Sequence, residues 1–250
     1  MDDSSKAITL PGIVNRPRGA GTAHDRGVTI ALEPSMNQNS QLVSSGIWQW
    51  LQRGGMERFE FLRDGDRRIF RGTILTFADR DSAEARYEII CDQEFRTRRA
   101  EVSLRTATGE RTLQISVENG RWHTNGRESA AVQGAIDIDL GWSPSTNALP
   151  IRRLNLAVGG SSGEFIAAWV RFPELTLEPL PQEYLRRSEC VYRYSSRGGD
   201  FTAELQVDDE GIVGLPGILA AGENGNVVNP RIGRRPDQAV PARPGPCSSS

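Results

Sequence analysis

Asp137 and Asp139 stand two residues apart in a run, 135–140, whose alternation fits a β-strand, so both carboxylates project from one face. Their expected spacing of about 6.5–7 Å overlaps the separation that glycosidases use for an acid and its partner carboxylate. Ile136, Ile138 and Leu140 claim the opposite side of the same run. The aspartates therefore form either a solvated outer face or a polar stripe inside a curled sheet. Arg152 and Arg153 follow a proline-bracketed segment that contains Asn147. Read as the start of a strand over 152–158, they face opposite ways. One is expected to pair with Asp137 or Asp139 and brace the loop around Thr146 and Asn147, while the other reaches an anion or a sugar.

Other motifs carry less. Gly159-Gly160-Ser161-Ser162-Gly163 matches the G-x-S-x-G elbow of serine hydrolases. That elbow needs a strand, a strained turn and a helix, with its histidine later in the chain. Here 164–172 alternates like another strand, and both histidines, His24 and His123, precede Ser161. A glycine-serine hairpin loop is the expected reading. His123 sits in a four-residue strand between Asn119-Gly120 and Asn125-Gly126, without a second histidine at ligand spacing. Cys91, Cys190 and Cys247 show no metal spacing, and an odd count is a poor disulfide framework. No metal and no cofactor are expected. Trp122, Trp169, Tyr184, Tyr192 and Tyr194 are the aromatic side chains that could line a ligand cleft, although most tryptophans of a β-protein are core.

Period two dominates the chain that must position these residues. Apolar positions alternate with charged ones through 84–91, 99–105, 113–117 and 201–207, each run a strand with one buried and one wet face. Further strands fit 57–62, 68–77, 164–172 and 190–195, separated by Asp64-Gly65, Gly198-Gly199 and the two Asn-Gly turns. Helix is expected only as a turn or two near 145–150 and 181–187. Ten or more short strands joined by hairpins imply an all-β protein, one large antiparallel sheet curled into an open barrel or half-barrel. Residues 1–40 read as an irregular extension with a short strand at 28–32. Residues 41–217 read as the β-rich domain, and 218–250 as a disordered Pro/Gly/Ser tail.

The 250 residues carry 37% hydrophobic and 25% charged side chains and a net charge of −2, which gives no field for nucleic acid. No run approaches the ~18 apolar residues of a membrane span, so no integral membrane segment is expected, although transient contact with a membrane surface is compatible. The acidic start, Met1-Asp2-Asp3, lacks the basic and apolar regions of a signal peptide, and a cytoplasmic location is expected.

Several stretches together resemble the bacterial glycolipid-binding family, formerly a domain of unknown function. They are Cys91-Asp92-Gln93-Glu94-Phe95-Arg96-Thr97-Arg98, Gly120-Arg121-Trp122, and Asp137-Ile138-Asp139-Leu140 leading through Pro144-Ser145-Thr146-Asn147-Ala148-Leu149-Pro150-Ile151-Arg152-Arg153-Leu154. Ala168-Trp169-Val170-Arg171-Phe172-Pro173, Gln182-Glu183-Tyr184 and Val207-Asp208-Asp209-Glu210-Gly211 extend the match over about 45–217. Phe95 replaces the family's usual tryptophan, Ala135 a common cysteine, and Leu215 a common tyrosine. The resemblance implies a curled sheet like the half-barrels that carry lipids or lipoproteins, with an amphiphile, a glycolipid or acyl ligand, on its concave face. Asp92, Arg98, Asp137, Asp139, Asn147, Arg152 and Arg153 are then the head-group candidates, and the five aromatics the wall. Two other readings stand beside this non-enzymatic one. One is a sugar or sugar-ester hydrolase with Asp137 and Asp139 as acid and base. The other is a protein-interaction module.

Overall fold

A computed structural model describes residues 40–50, 54–78, 81–214 and 228–231. The expected N-terminal extension, its strand at 28–32 and most of the expected tail lie outside these residues.

The chain is all-β with little helix. Eight strands follow one another as an antiparallel meander: β1 (Gln41–Trp50), β2 (Gly55–Asp64), β3 (Arg67–Ala78), β4 (Asp81–Cys91), β5 (Thr97–Thr106), β6 (Gly109–Glu118), β7 (Arg121–Thr124) and β8 (Arg127–Glu128). Five more, β9 (Ile138–Leu140), β10 (Phe165–Arg171), β11 (Thr176–Arg186), β12 (Val191–Ser196) and β13 (Phe201–Gln206), build a second sheet in the order β13-β12-β11-β10-β9. Only the β9–β10 pair in that sheet is parallel. A last strand, β14 (Val228–Arg231), lies within the stretch expected to be tail and pairs with β1, so the first sheet has nine strands. A seven-residue helix, α1 (Ala148–Leu154), lies in the crossover from β9 to β10 within the second sheet.

Alternation decides which face each strand buries. Ala83, Ala85, Tyr87, Ile89 and Cys91 of β4 are buried, and so are Ala100, Val102 and Leu104 of β5. Each large apolar side chain so buried contributes about 1.5–3 kcal/mol. The short β6–β7–β8 hairpins depend on their turns. Asn119-Gly120 (φ 52° and 78°) and Asn125-Gly126 (φ 48° and 76°) place both central residues at positive φ, as the turn that matches strand twist requires. The inner face of the nine-stranded sheet is covered by the protein itself. Val132 and Ala135 from the β8–β9 connection, Leu140 from β9, Ala148 and Leu149 from the β9–β10 crossover, and Ala168, Val170 and Phe172 from β10 and its end share one core with Trp48, Phe59, Phe70, Ile74 and Ile89.

Three expectations about elements fail, and one strand goes unread, for identifiable reasons. Residues 152–158 are not a strand: Arg152 and Arg153 lie on α1, with Pro150 inside its first turn, where a missing N–H costs nothing. Asn155, at φ 43° and ψ 50°, ends the helix in the left-handed conformation. The expected helix at 181–187 belongs to β11, where Leu180, Gln182 and Tyr184 alternate as buried residues. Of 135–140, only Ile138–Leu140 is strand. β1 lacks an apolar stripe to read, since Gly46 takes an inner position and a bulge between Leu42 and Ser44 shifts the register. An added Cβ at Gly46 would stand 2.7 Å from the Phe59 ring, which fills that place.

Candidate functional site

Six of the expected residues converge beneath α1. Arg153 Nε donates to Asp137 Oδ1 at 3.0 Å, and its Nη2 donates to Oδ2 at 2.5 Å. The Asp137 side chain is 1% exposed and that of Arg153 14%, so this is a buried bidentate pair. Burial pushes the Asp137 carboxyl up and Arg153 opposes it, with a net rise above the ordinary aspartate value. Two residues on, Asp139 Oδ2 accepts from Gln182 Nε2 at 2.5 Å. Burial lifts Asp139 from 3.8 to about 6, against that hydrogen bond. Tyr184 Oη donates to Asn147 Oδ1 at 2.7 Å, while Asn147 Nδ2 donates to the Pro144 carbonyl at 3.0 Å. The Tyr184 ring meets Tyr194 at 5.1 Å between centroids, and burial holds both hydroxyls above their ordinary value. Trp169 stands opposite Asp139 in the β9–β10 register, half-buried, with the Arg197 and Arg171 guanidinium groups 5.0 and 5.9 Å from its ring. Both Asp137 oxygens accept from Arg153.

Arg152 points elsewhere. Neighbours on a helix diverge by about 100° rather than 180°, and Arg152 meets neither aspartate. Its Nη1 donates to the Asp209 carbonyl at 2.8 Å, and Nη2 lies 3.8 Å from Glu210 Oε2, a carboxylate also held by Arg63 at 2.8 Å. The expected pairing of one arginine with this aspartate pair is present, and it belongs to Arg153 alone. Arg152 instead forms one wall of a cleft of about 670 Å³ between the end of α1, the β11–β12 connection and 207–211. Ile151, Val158 and Val207 give this cleft apolar surface, Tyr192 gives it a ring, and Glu189, Asp208 and Asp209 bring carboxylates. Arg186 is its pillar, donating to the carbonyls of Leu156 (2.7 Å), Glu189 (2.6 Å) and Ser188 (3.2 Å) with its guanidinium 5.5 Å from the Tyr192 ring. Arg186, Gln182 and Glu210 were not singled out from sequence. Nothing in their spacing marked them, because their partners are carbonyls and side chains 30 to 147 residues away or in a local turn.

Three expected residues lie apart from both places. Asp92 closes a turn: its Oδ1 accepts from the Glu94 and Arg96 N–H groups (3.1 and 2.9 Å) and Oδ2 from Arg98 Nη2 (2.7 Å). That network holds Phe95 at φ 64°. Trp122 is fully buried, and its indole N–H donates to the Ala135 carbonyl at 2.8 Å. Ser161 Oγ donates to Glu183 at 2.7 Å in a loop that leads into β10 and not into a helix. Among the described residues, no cluster of three or more His, Cys, Asp or Glu is placed to hold a metal ion. Among them also, no helix is long and apolar enough to cross a membrane.

A family model described as "Putative glycolipid-binding" matches residues 45–219. Among solved structures, the chain is similar to a DUF1089-family protein from Pseudomonas aeruginosa, at 29% identity and a TM-score of 0.60, covering 70% of this chain and 95% of that one. No curated protein matches.

Proposed function

This chain belongs to the glycolipid-binding family formerly called DUF1089, and from that premise we propose that it is a non-enzymatic protein that binds an amphiphile, with the head group in the cleft beside Arg152. The cleft carries the proposal. Its volume of about 670 Å³ falls in the range of small-molecule sites, about 300–1,000 Å³. Its lining joins an apolar strip and an aromatic ring to two guanidinium groups and three carboxylates. Sugars are bound by such sets: a ring face stacks on the C–H surface, and ionised side chains accept or donate to hydroxyls. Beyond its bond to the Asp209 carbonyl and its ion pair with Glu210, Arg152 retains N–H donors, which suits a head group that arrives with oxygen acceptors. The Asp137–Arg153 and Asn147–Tyr184 contacts take the supporting role, fixing the helix that carries Arg152.

We place the protein in a reducing compartment, a reading supported by the two described cysteines, Cys91 and Cys190, both free thiols. Calorimetric titration with octyl glucoside below its micelle concentration tests the site. Saturable binding is expected, weakened at least tenfold by Arg152→Glu and by Tyr192→Ala. Non-saturable heats, or variants that bind like the wild type, would remove the cleft from the account.

A further inference from the structure

Glu57 is a carboxyl group in the core. It lies on β2 with 0% exposure, and on the inner face where every neighbouring strand presents an apolar or aromatic residue. Its Oε1 accepts from Tyr87 Oη at 2.6 Å and from Ser143 Oγ at 2.7 Å, whereas Oε2 has no partner. Ser145 closes the group, with its hydroxyl 2.9 Å from Tyr87 Oη and 2.6 Å from Ser143 Oγ. Gly72 makes the arrangement possible. The Tyr87 ring lies over it, so close that an added Cβ would stand 2.7 Å from two ring carbons and from the hydroxyl oxygen.

The partners come from two parts of the fold. Tyr87 belongs to the sheet. Ser143 and Ser145 belong to 141–154, the segment that crosses the inner face, contributes Ala148 and Leu149 to the core there, and ends in α1. α1 has seven residues, too few to persist without tertiary contacts. The Glu57 cluster is therefore the polar anchor of a strap that covers apolar sheet surface.

Among the described residues, no cation answers the carboxyl. The residues facing it are Trp48 from β1, Ile74 from β3, Tyr87 from β4, and Ser143 and Ser145 from the strap. Tyr87 alone among these titrates, and burial with the adjacent Glu57 holds its hydroxyl protonated well above the ordinary range. A neutral Glu57 leaves one oxygen unsatisfied, but an ionised one leaves a charge in the core with two hydrogen bonds and no counter-charge, which costs more.

We propose that residues 141–154 are a releasable strap latched by the Glu57 cluster, and that releasing it bares the part of the inner face that it covers to the acyl chain of an amphiphile. This rests on the amphiphile-binding reading above and adds the place of its apolar part. The cleft takes the head group, and α1, which carries Arg152 into the cleft and Leu149 into the core, joins the two. Burial raises the Glu57 carboxyl from 4.5 to about 8. A released, hydrated Glu57 returns toward 4.5, so the closed state holds the extra proton between these values. Opening must then become more favourable as pH rises, by about tenfold per pH unit between pH 5.5 and 7.5, and level off above about 8.

Hydrogen–deuterium exchange of the full chain, corrected for intrinsic rates, reads this directly, with an uncharged dansyl-tagged long-chain alcohol as acyl probe. In the wild type, the amides of 141–154 should follow that slope while those of β4 and β5 stay protected, and uptake of the probe should rise in parallel. Glu57→Gln should flatten both curves. Ser143→Ala, which deletes the strap's donor, should open more at every pH with the slope kept. The same slope in Glu57→Gln, opening of β4 and β5 together with the strap, or probe uptake that ignores strap opening would each overturn the proposal. Should Glu57→Gln not fold, wild-type opening in Ser143→Ala overturns it equally. Octyl glucoside binding at pH 6, with the strap closed, tests the cleft separately, and its loss in Arg152→Glu is independent of the latch.

Discussion

Arg153→Ala isolates the interaction that fixes α1 under the second sheet. The wild-type pair makes three hydrogen bonds between a guanidinium 14% exposed and a carboxylate 1% exposed. Deleting the cation strands Asp137 in a site where burial already pushes its carboxyl up. Breaking a buried pair in this way costs about 3–5 kcal/mol, against under ~1 kcal/mol for an exposed one. For a domain of this size that corresponds to a fall in melting temperature of roughly 10 °C. The pH dependence has a definite sign. In the variant Asp137 sits further above its unfolded value, so its stabilising contribution is complete below pH ~3.8 and lost as pH rises through the folded-state value. The deficit should therefore shrink on acidification from pH 7 to pH 5. Urea unfolding followed by tryptophan fluorescence at both pH values supplies the numbers. Asp137→Asn combined with Arg153→Ala should recover most of the loss, because the stranded charge is gone. Arg98→Ala, whose pair with Asp92 is half exposed on the arginine side, serves as the weak control. A loss below about 1 kcal/mol in Arg153→Ala, or no recovery in the double variant, would refute the burial argument.

Other consequences can be checked with single variants. Asp139, raised from 3.8 to about 6, contributes stability that is complete below 3.8 and fades as pH rises through 6; Asp139→Asn should flatten the unfolding profile between pH 4 and 7, and an unchanged profile would contradict its burial. Gly72→Ala drives a methyl into the Tyr87 ring and should cost about 1–3 kcal/mol by overpacking, read as a lowered urea midpoint with Tyr87 displaced from Glu57. Ser161, which donates to Glu183 in its loop, should be inert. Labelling by a fluorophosphonate that Ser161→Ala abolishes would overturn the non-enzymatic reading.

The strand-rich architecture was legible because one-sided burial writes itself as period two. The runs through β4, β5, β6 and β13 could be read directly, and the two Asn-Gly pairs marked the β7 hairpins to the residue. What stayed hidden has physical causes. β1 fills an inner position with Gly46 so that Phe59 can lie over it, which erases the apolar signal. α1 is too short for a 3.6-residue period to show, and its arginines therefore read as strand. In the candidate site, Asp137 and Arg153 of the D-x-D and T-N-x-L-P stretches meet, whereas Arg152 turns to 207–211. Gln182, Arg186 and Glu57 did not announce themselves, since their roles come from partners far away in the chain or from a burial that only the folded sheet creates.

Native mass spectrometry of the full chain, purified without detergent and then offered octyl glucoside, tests the central claim most directly. The account predicts protein carrying one amphiphile, either retained from the cell or taken up in a one-to-one complex, with the adduct lost in Arg152→Glu. Bare protein that takes up no amphiphile, or an adduct that survives Arg152→Glu and Tyr192→Ala unchanged, would contradict it.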